Sequence, residues 1–85
     1  ECVPHAWGSA IGLAATVQFL AALPDQPPAL RPMPPMLEFE QTPNPLRDIL
    51  ATEPIVQRGG IVAVPTGPGL GIEIDREVLN RFKVA

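Results

Sequence analysis

Two ionisable residues have the side-chain types needed for proton transfer. His5 follows Pro4 and is the only histidine among the 85 residues, and Glu38 lies between Leu37 and Phe39. A neutral imidazole can accept or donate a proton near neutral pH. A carboxyl group walled by apolar side chains is poorly solvated, which favours its protonated form and makes it a hydrogen-bond donor. The pair therefore predicts general acid and base chemistry on a bound substrate.

The segments around these two residues are predicted to form a strand, a helix and a second strand. A residue before proline favours extended backbone, so residues 1–4 are predicted as a short strand that ends at His5. Residues 36–39 form the second predicted strand, with Glu38 at its end. A right-handed crossover places the ends of two parallel strands side by side, at the rim where α/β barrels keep their catalytic residues. The predicted fold class is α/β.

The connecting helix is predicted to begin after Ser9, a suitable N-cap, and to end before Pro24. Only Thr16 and Gln18 give it a polar face. A helix this apolar should be covered on more than one side, which predicts contacts beyond this chain and a homo-oligomer. Its apolar residues form two adjoining stripes, Ile11, Ala15, Phe19 and Ala22 on one and Leu13, Val17 and Leu20 on the other.

The segment after the helix is rich in proline. Six of the chain's twelve prolines lie between residues 24 and 35. Within it, Pro32-Met33-Pro34-Pro35 next to Arg31 provides the PxxP spacing of a ligand for SH3-like domains. Because that pattern is so permissive, a stiff helix-to-strand connection is the favoured interpretation.

Two further helices are predicted from their caps. Asn44 as the cap and Pro45 at the first helical position predict a helix start, followed by at least one turn over residues 46–50. Asp75 is predicted to cap a last helix over residues 76–82.

The residues between these helices contain two short predicted strands. Gly59 and Gly60 break the chain before the β-branched run 61–64, and a glycine turn at 69–71 leads into residues 72–74. The chain is accordingly divided into residues 1–58, with the predicted strand, helix and strand and the helix that follows them, and residues 59–85, a two-strand and helix segment.

Composition and charge exclude several classes of function. The formal net charge is -3 and the six Lys and Arg residues are scattered, which leaves no basic patch for nucleic acid. The apolar run 10–23 is interrupted by polar residues and falls short of the ~20 residues of a membrane span, so no membrane partner is predicted. The single Cys2 cannot form an internal disulfide, which favours a reducing compartment and predicts a cytoplasmic location.

Metal and phosphate motifs are also absent from the sequence. The glycines at 67, 69 and 71 fit neither phosphate-loop spacing, so they predict tight turns. A single histidine excludes a multi-histidine metal site, and no metal ligand is predicted in this chain. The sequence opens on Glu1 inside a predicted strand, which predicts that it is the C-terminal piece of a larger protein.

Four stretches of the chain together resemble one enzyme family. They are residues 4–15 (PHAWGSAIGLAA), 37–40 (LEFE), 60–65 (GIVAVP) and 68–72 (PGLGI). In this order they resemble the C-terminal part of the enolase superfamily, of the mandelate racemase and muconate lactonizing enzyme type, and specifically its mandelate racemase-like members. Each stretch alone is a weak signal, whereas the set is specific and covers nearly the whole chain.

The resemblance implies a magnesium-dependent TIM-type (β/α) barrel enzyme that removes the proton α to a carboxylate and stabilises the resulting enediolate. His5, at the end of the seventh barrel strand, is implied to be the general base or acid. Glu38, at the end of the eighth, is implied to be the protonated partner that hydrogen-bonds the substrate carboxylate. Trp7 is implied to be pocket wall, with packing under the rim as the alternative.

The chain lacks other parts of the family's site, namely the lid domain, the Lys-x-Lys strand, the three acidic magnesium ligands and the Asp that pairs with the histidine. The rest of the barrel and the lid, on which the C-terminal tail should pack, are therefore expected to be required, and the chain alone is predicted to be inactive. The proline-rich insertion leaves open whether Glu38 or Glu40 is the strand-eight carboxylate. Glu38 is favoured because Leu37-Glu38 fits the strand-end motif, although both glutamates share one strand face.

The family supports several reactions on small-molecule carboxylates. For members with a histidine on strand seven, the dehydration of sugar acids is favoured over racemisation or epimerisation of a 2-hydroxy acid. The alternative from another class is a non-catalytic fragment whose apolar helix docks on a partner.

Overall fold

Helix α1 spans Ala10–Ala21 and begins where the sequence predicts. The structure is a computed structural model that describes residues 2–31 and 33–84. Ser9 has extended backbone, and its side-chain oxygen accepts a hydrogen bond from the Ile11 amide at 3.2 Å, as an N-cap does. The helix ends at Ala21, with Ala22 as its C-cap, ahead of Pro24. Local sequence signals therefore identify both ends of α1.

The segments before and after α1 lie side by side in parallel orientation. His5 and Glu38 form an isolated parallel β-bridge, and the Glu38 amide donates a hydrogen bond to the Pro4 carbonyl at 2.9 Å. This confirms that the two predicted strand ends are neighbours. Pro4, Pro34 and Pro35 have no amide hydrogen with which to extend the pairing into a ladder. In the described part of the chain, the two parallel segments and the helix α1 that connects them form a small α/β unit.

One face of α1 supplies much of the core. Its buried residues are Ala10, Leu13, Ala14, Val17 and Leu20. Leu37 and Phe39 pack against this face from the segment after the helix, and Ile55 packs against it from further along the chain. The other stripe is uncovered, since Ile11 is 43% and Phe19 is 52% exposed. Within the described residues α1 is therefore covered on one side, not on several.

Gln18 does not lie on a solvated face of α1, contrary to the sequence-based expectation. Its Nε2 donates hydrogen bonds to the carbonyl oxygens of Pro65, at 2.8 Å, and Leu70, at 3.2 Å. The chain between these two carbonyls turns back on itself, and Gly71 has a φ of 82° with no room for a side chain beside Pro65. The Gln18 amide therefore fixes this turn to the helix through two hydrogen bonds.

The two remaining helices also begin at their predicted caps. Helix α2 spans Pro45–Asp48 and helix α3 spans Arg76–Arg81, one residue short of the predicted end. Asn44 and Asp75 each accept hydrogen bonds from amides of the first helical turn. Helices this short are unstable alone and depend on packing. Val78 of α3 provides some of it, in a buried cluster with Ala10, Leu50 and Ala51.

The C-terminal strands are paired differently from the prediction. Strands β1 (Gln57–Arg58) and β2 (Ile61–Val62) form an antiparallel hairpin. Gly59 and Gly60 make its turn with φ of 60° and 79°, and two left-handed residues give the favoured two-residue hairpin. Residues 72–74 instead approach the end of α2, where Ile74 forms an antiparallel bridge with Ala51. The two strands of this hairpin therefore lie on opposite sides of the boundary between residues 58 and 59 at which the sequence analysis divides the chain.

The proline-rich segment joins α1 to the Glu38 segment along the surface. It contains one 3-10 turn, Pro28–Leu30, and its described residues are exposed. Pro32, the first proline of the PxxP pattern, lies outside the described residues. Among those that are described, no helix has the length and apolar character needed to cross a membrane.

Candidate active site

The His5 and Glu38 side chains share the face of the parallel pair that points away from α1. Exposure alternates along the first segment, where His5 and Trp7 are exposed and the residues on either side of each are less so. In the second segment Leu37 and Phe39 pack towards α1, while Glu38 is exposed. Since side chains alternate between the faces of a strand, all three predicted site residues lie on one open face.

Glu38 is not poorly solvated in this structure. The expectation that Leu37 and Phe39 wall its carboxyl group is wrong, because both side chains turn to the opposite face and join the core beside α1. A cleft of about 700 Å³ lies on that opposite side, lined by Leu37 and Phe39 together with residues of α1 and β2. Neither His5 nor Glu38 lines this cleft, so the cleft is separate from the predicted proton-transfer residues.

Glu40 is the carboxylate that approaches His5. Its Oε2 lies 3.6 Å from His5 Nε2, an ion-pair distance when the imidazole is protonated and longer than a hydrogen bond. Thr42 holds the other carboxylate oxygen through its hydroxyl, at 2.6 Å, and its amide, at 2.9 Å. These two bonds, with a smaller contribution from His5, lower the pKa of Glu40 from 4.5 to about 2. Glu40 is therefore anionic at neutral pH.

Arg47 fixes the loop that carries Glu40. Its guanidinium donates hydrogen bonds to the Glu40 carbonyl at 2.6 Å and the Thr42 carbonyl at 2.7 Å. A third bond, at 2.9 Å, goes to Asp48 and lowers the pKa of that carboxyl group. Only 11% of the Arg47 side chain is exposed. The backbone on both sides of Gln41 is thus held by one planar group.

Asn44 joins the loops that come after the two parallel segments. Its Oδ1 caps α2, and its Nδ2 donates a hydrogen bond to the Gly8 carbonyl at 2.8 Å. Gly8 is next to Trp7 in the chain, so this bond connects the chain beyond His5 to the chain beyond Glu40. The Asn44 side chain acts as both acceptor and donor, which the acceptor-only carboxylate of an aspartate at this position cannot reproduce.

Sequence reasoning identified Asn44 as a cap but missed its bond to Gly8, and it missed the roles of Thr42 and Arg47. The signal available was Glu40-x-Thr42, the spacing at which a carboxylate can accept a hydrogen bond from the amide two residues on.

A magnesium ion does not fit the residues present. In residues 2–31 and 33–84, no group of three or more His, Cys, Asp or Glu side chains is arranged to hold a metal ion. Magnesium in proteins requires several oxygen ligands in octahedral geometry. The acidic side chains of the open face, Glu38 and Glu40, do not supply such a set, so no chemical step is assigned to a metal bound here.

Comparison with known proteins identifies similar sequences. The family model described as enolase C-terminal domain-like matches residues 1–78. Over 82 residues, 96% of this chain, the sequence is 44% identical to the D-galactarolactone cycloisomerase of Agrobacterium fabrum (strain C58 / ATCC 33970). The chain spans 22% of the length of that relative.

Proposed function

Since the chain belongs to the enolase C-terminal domain-like family of the enolase superfamily, we propose that it is the C-terminal segment of an enzyme that removes the proton α to a substrate carboxylate. The observation that carries the proposal is the parallel bridge between His5 and Glu38. It brings an imidazole and a carboxyl group to one open face at the ends of adjacent parallel segments, the position of catalytic residues in α/β barrels.

His5 is the proposed general base and acid of this site. Its side chain is 47% exposed on the open face, so a substrate bound there could reach the imidazole. The neutral ring takes the α-proton, and the imidazolium returns a proton to the substrate or the leaving group. Glu38 lies on the adjacent segment and is proposed to donate a hydrogen bond to the substrate carboxylate once the remaining barrel strands enclose it. Trp7, 71% exposed on the same face, is proposed as pocket wall.

The relative's name favours a lactone as the substrate class. Loss of the α-proton leaves an enediolate that can expel an oxygen from the β-carbon. Over the whole step, the electron pair of the α-C–H bond becomes the double bond between the α- and β-carbons, and the pair of the β-C–O bond leaves with the oxygen. A free β-hydroxyl takes a proton and leaves as water, which is a dehydration. A lactone ring oxygen at that position leaves as part of a carboxylate, so the ring opens and no atom is lost. Cycloisomerisation of a sugar-acid lactone is therefore the first proposal, and dehydration of a sugar acid by the same residues is the second.

The remainder of the site is proposed to lie outside these 85 residues. The chain spans 22% of its relative, and its described acidic residues do not form a metal site. We propose that the full-length protein supplies magnesium ligands from other barrel strands and a lid for the distal end of the substrate. The exposed stripe of Ile11 and Phe19 is proposed to pack against a preceding barrel helix, so it does not by itself require the homo-oligomer predicted from the sequence.

Product analysis of the full-length protein tests this function. The purified enzyme, with magnesium supplied, is incubated separately with D-galactarolactone and with open-chain sugar acids, and products are identified by NMR and mass spectrometry. The first proposal predicts a ring-opened product of unchanged mass from the lactone. A product lacking one water from a sugar acid favours the dehydratase. No reaction with lactones, sugar acids or 2-hydroxy acids would favour the non-catalytic alternative.

A further inference from the structure

We propose that Asn44 is a positioning residue for Trp7, because its side-chain amide fixes the chain next to Trp7 to the loop that precedes α2. Through this hydrogen bond, Asn44 sets where the Trp7 ring stands on the open face, and therefore how tightly a substrate is bound there. The inference rests on the proposed function, in which Trp7 is a wall of the substrate pocket. It assigns a role in substrate binding to a residue that the sequence identifies only as a helix cap.

The first support is that the Trp7 ring has little packing of its own. Trp7 is 71% exposed, so most of its surface touches nothing in residues 2–31 and 33–84. Such a ring takes its position from the backbone that carries it. The parallel bridge holds this backbone at His5, and α1 holds it from its cap Ser9 onwards. Between these points, in the described part of the chain, it is fixed by the hydrogen bond from Asn44 Nδ2 to the Gly8 carbonyl at 2.8 Å.

The second support is that the two hydrogen bonds of the Asn44 side chain need an amide. Its Oδ1 accepts a hydrogen bond from the Leu46 amide at 3.2 Å, which caps α2, and its Nδ2 donates to the Gly8 carbonyl. One partner is a donor and the other is an acceptor, so the side chain must present both kinds of group. An aspartate caps a helix as well as an asparagine does, but its carboxylate has no hydrogen to donate. The bond to Gly8 is therefore a function of Asn44 separate from capping.

The third support is that Asn44 is held in place by its own loop and helix. Its backbone carbonyl accepts a hydrogen bond from the Arg47 amide at 3.0 Å. The largely buried Arg47 guanidinium also donates to the Glu40 and Thr42 carbonyls, which fixes the loop that leads to Asn44. A donor that is already ordered loses little conformational entropy when it forms its bond. Asn44 can therefore restrain the chain next to Trp7 rather than move with it.

Loss of this bond should weaken substrate binding more than it slows the chemistry. In Asn44→Asp the carboxylate keeps the α2 cap, but its oxygen faces the Gly8 carbonyl oxygen and repels it. The chain next to Trp7 is then free to shift, and contacts between the ring and the substrate are lost in the ground state and the transition state alike. Loss of such uniform binding raises KM and leaves kcat nearly unchanged. KM should rise about fivefold, the factor that corresponds to one hydrogen bond of ordinary strength.

Steady-state kinetics of the full-length protein, with D-galactarolactone as the probe or a sugar acid if the lactone does not react, test this expectation. The variants are Asn44→Asp, Asn44→Ala, Trp7→Ala, the double variant of Trp7→Ala with Asn44→Asp, and the control Asp75→Ala, which removes the cap of α3. Asn44→Asp and Asn44→Ala should raise KM alike, although only the second loses the α2 cap. Asp75→Ala should lose stability and keep the wild-type KM.

The double variant separates positioning of the ring from general destabilisation. Trp7→Ala should raise KM, and the addition of Asn44→Asp should then have no further effect, because both changes act through one ring. A KM that Asn44→Asp raises by the same factor with and without the Trp7 ring overturns the proposal. The proposal is also overturned if KM is unchanged in Asn44→Asp or in Trp7→Ala, or is raised equally in Asp75→Ala.

A second readout does not depend on turnover. The full-length protein is labelled with 5-fluorotryptophan, and the ¹⁹F NMR signal of Trp7 is assigned by its loss in Trp7→Phe. This signal should shift or split in Asn44→Asp and stay at the wild-type position in Asp75→Ala. An unchanged Trp7 signal in Asn44→Asp overturns the proposal. If the wild type converts none of these substrates, the proposed function fails instead, and the fluorine signal alone decides whether Asn44 positions Trp7.

Discussion

Replacement of Gly71 with alanine is expected to destabilise the protein through two separate effects. Gly71 has a φ of 82°, a left-handed conformation that costs an L-residue about 1–2 kcal/mol. The new Cβ would also lie 2.5 Å from the Cβ of Pro65 and 2.9 Å from its carbonyl carbon and oxygen. Forcing a methyl group into a filled site costs about 1–3 kcal/mol more. The expected total is about 3.5 kcal/mol, the sum of both effects at mid-range.

Gly69 provides the matched control in the same turn. Its φ is 62°, yet a Cβ there would meet no heavy atom within 4 Å. Gly69→Ala should therefore show only the backbone effect, about 1.5 kcal/mol. The difference between the two variants, about 2 kcal/mol, isolates the collision with Pro65. Urea unfolding of the full-length protein, followed by circular dichroism and by proteolysis within residues 65–71, measures it.

The collision should also disturb a hydrogen bond on α1. The Pro65 carbonyl that Gly71→Ala would displace accepts the Gln18 amide at 2.8 Å. Removing Gln18 should thus cost less in the Gly71→Ala background than in the wild type, a coupling that a double-mutant cycle detects. Equal destabilisation by the two glycine variants, or full additivity with Gln18→Ala, would refute the account of this turn.

Two further predictions concern the loop beside His5. Asn44→Ala should cost about 1 kcal/mol in stability through the loss of the α2 cap. Asn44→Asp should keep the cap and lose only the bond to the Gly8 carbonyl, so unfolding experiments should separate the two variants. Enzyme activity should fall in both. Because the pKa of Glu40 falls from 4.5 to about 2 on folding, the ionised carboxylate stabilises the folded state above pH 4.5, and this contribution is lost as the pH falls towards 2. The stability difference between wild type and Glu40→Gln should shrink over that range in acid titrations, and a difference that grows on acidification would contradict the pKa assignment.

Features governed by short-range hydrogen bonding could be predicted from the sequence. Ser9, Asn44 and Asp75 were identified as helix caps because a cap bonds to amides two or three residues ahead, and all three are confirmed. The parallel neighbourhood of His5 and Glu38 was also predicted correctly, because a strand, a helix and a strand have few ways to pack.

Features that depend on distant partners were missed. Gln18 looks like a solvated position on α1 until the carbonyls of residues 65 and 70, far along the chain, are placed against it. The wrong strand pairing has the same origin, because the sequence marks the glycine turns but does not specify which neighbour each strand meets. The solvation of Glu38 was misjudged because its two apolar neighbours alternate to the other face.

The choice between Glu38 and Glu40 could not be made from strand alternation, since residues two apart share a face. In the structure the two side chains lie differently because of the loop that begins after Glu40, and the choice of Glu38 as the strand-eight carboxylate stays a prediction. Thr42 and Arg47 fold this loop so that the Glu40 carboxylate turns towards His5, while Glu38 stays exposed. Strand periodicity does not describe a loop, so it could not predict this difference.

The central claim is that His5 transfers the substrate α-proton, and solvent exchange in the His5→Asn variant of the full-length enzyme tests it most directly. Asparagine keeps the size and polarity of the site but cannot accept a proton near neutral pH. The account predicts that incorporation of deuterium from D2O at the α-carbon falls at least about a hundredfold while magnesium binding is unchanged. Exchange at the wild-type rate in His5→Asn would contradict it.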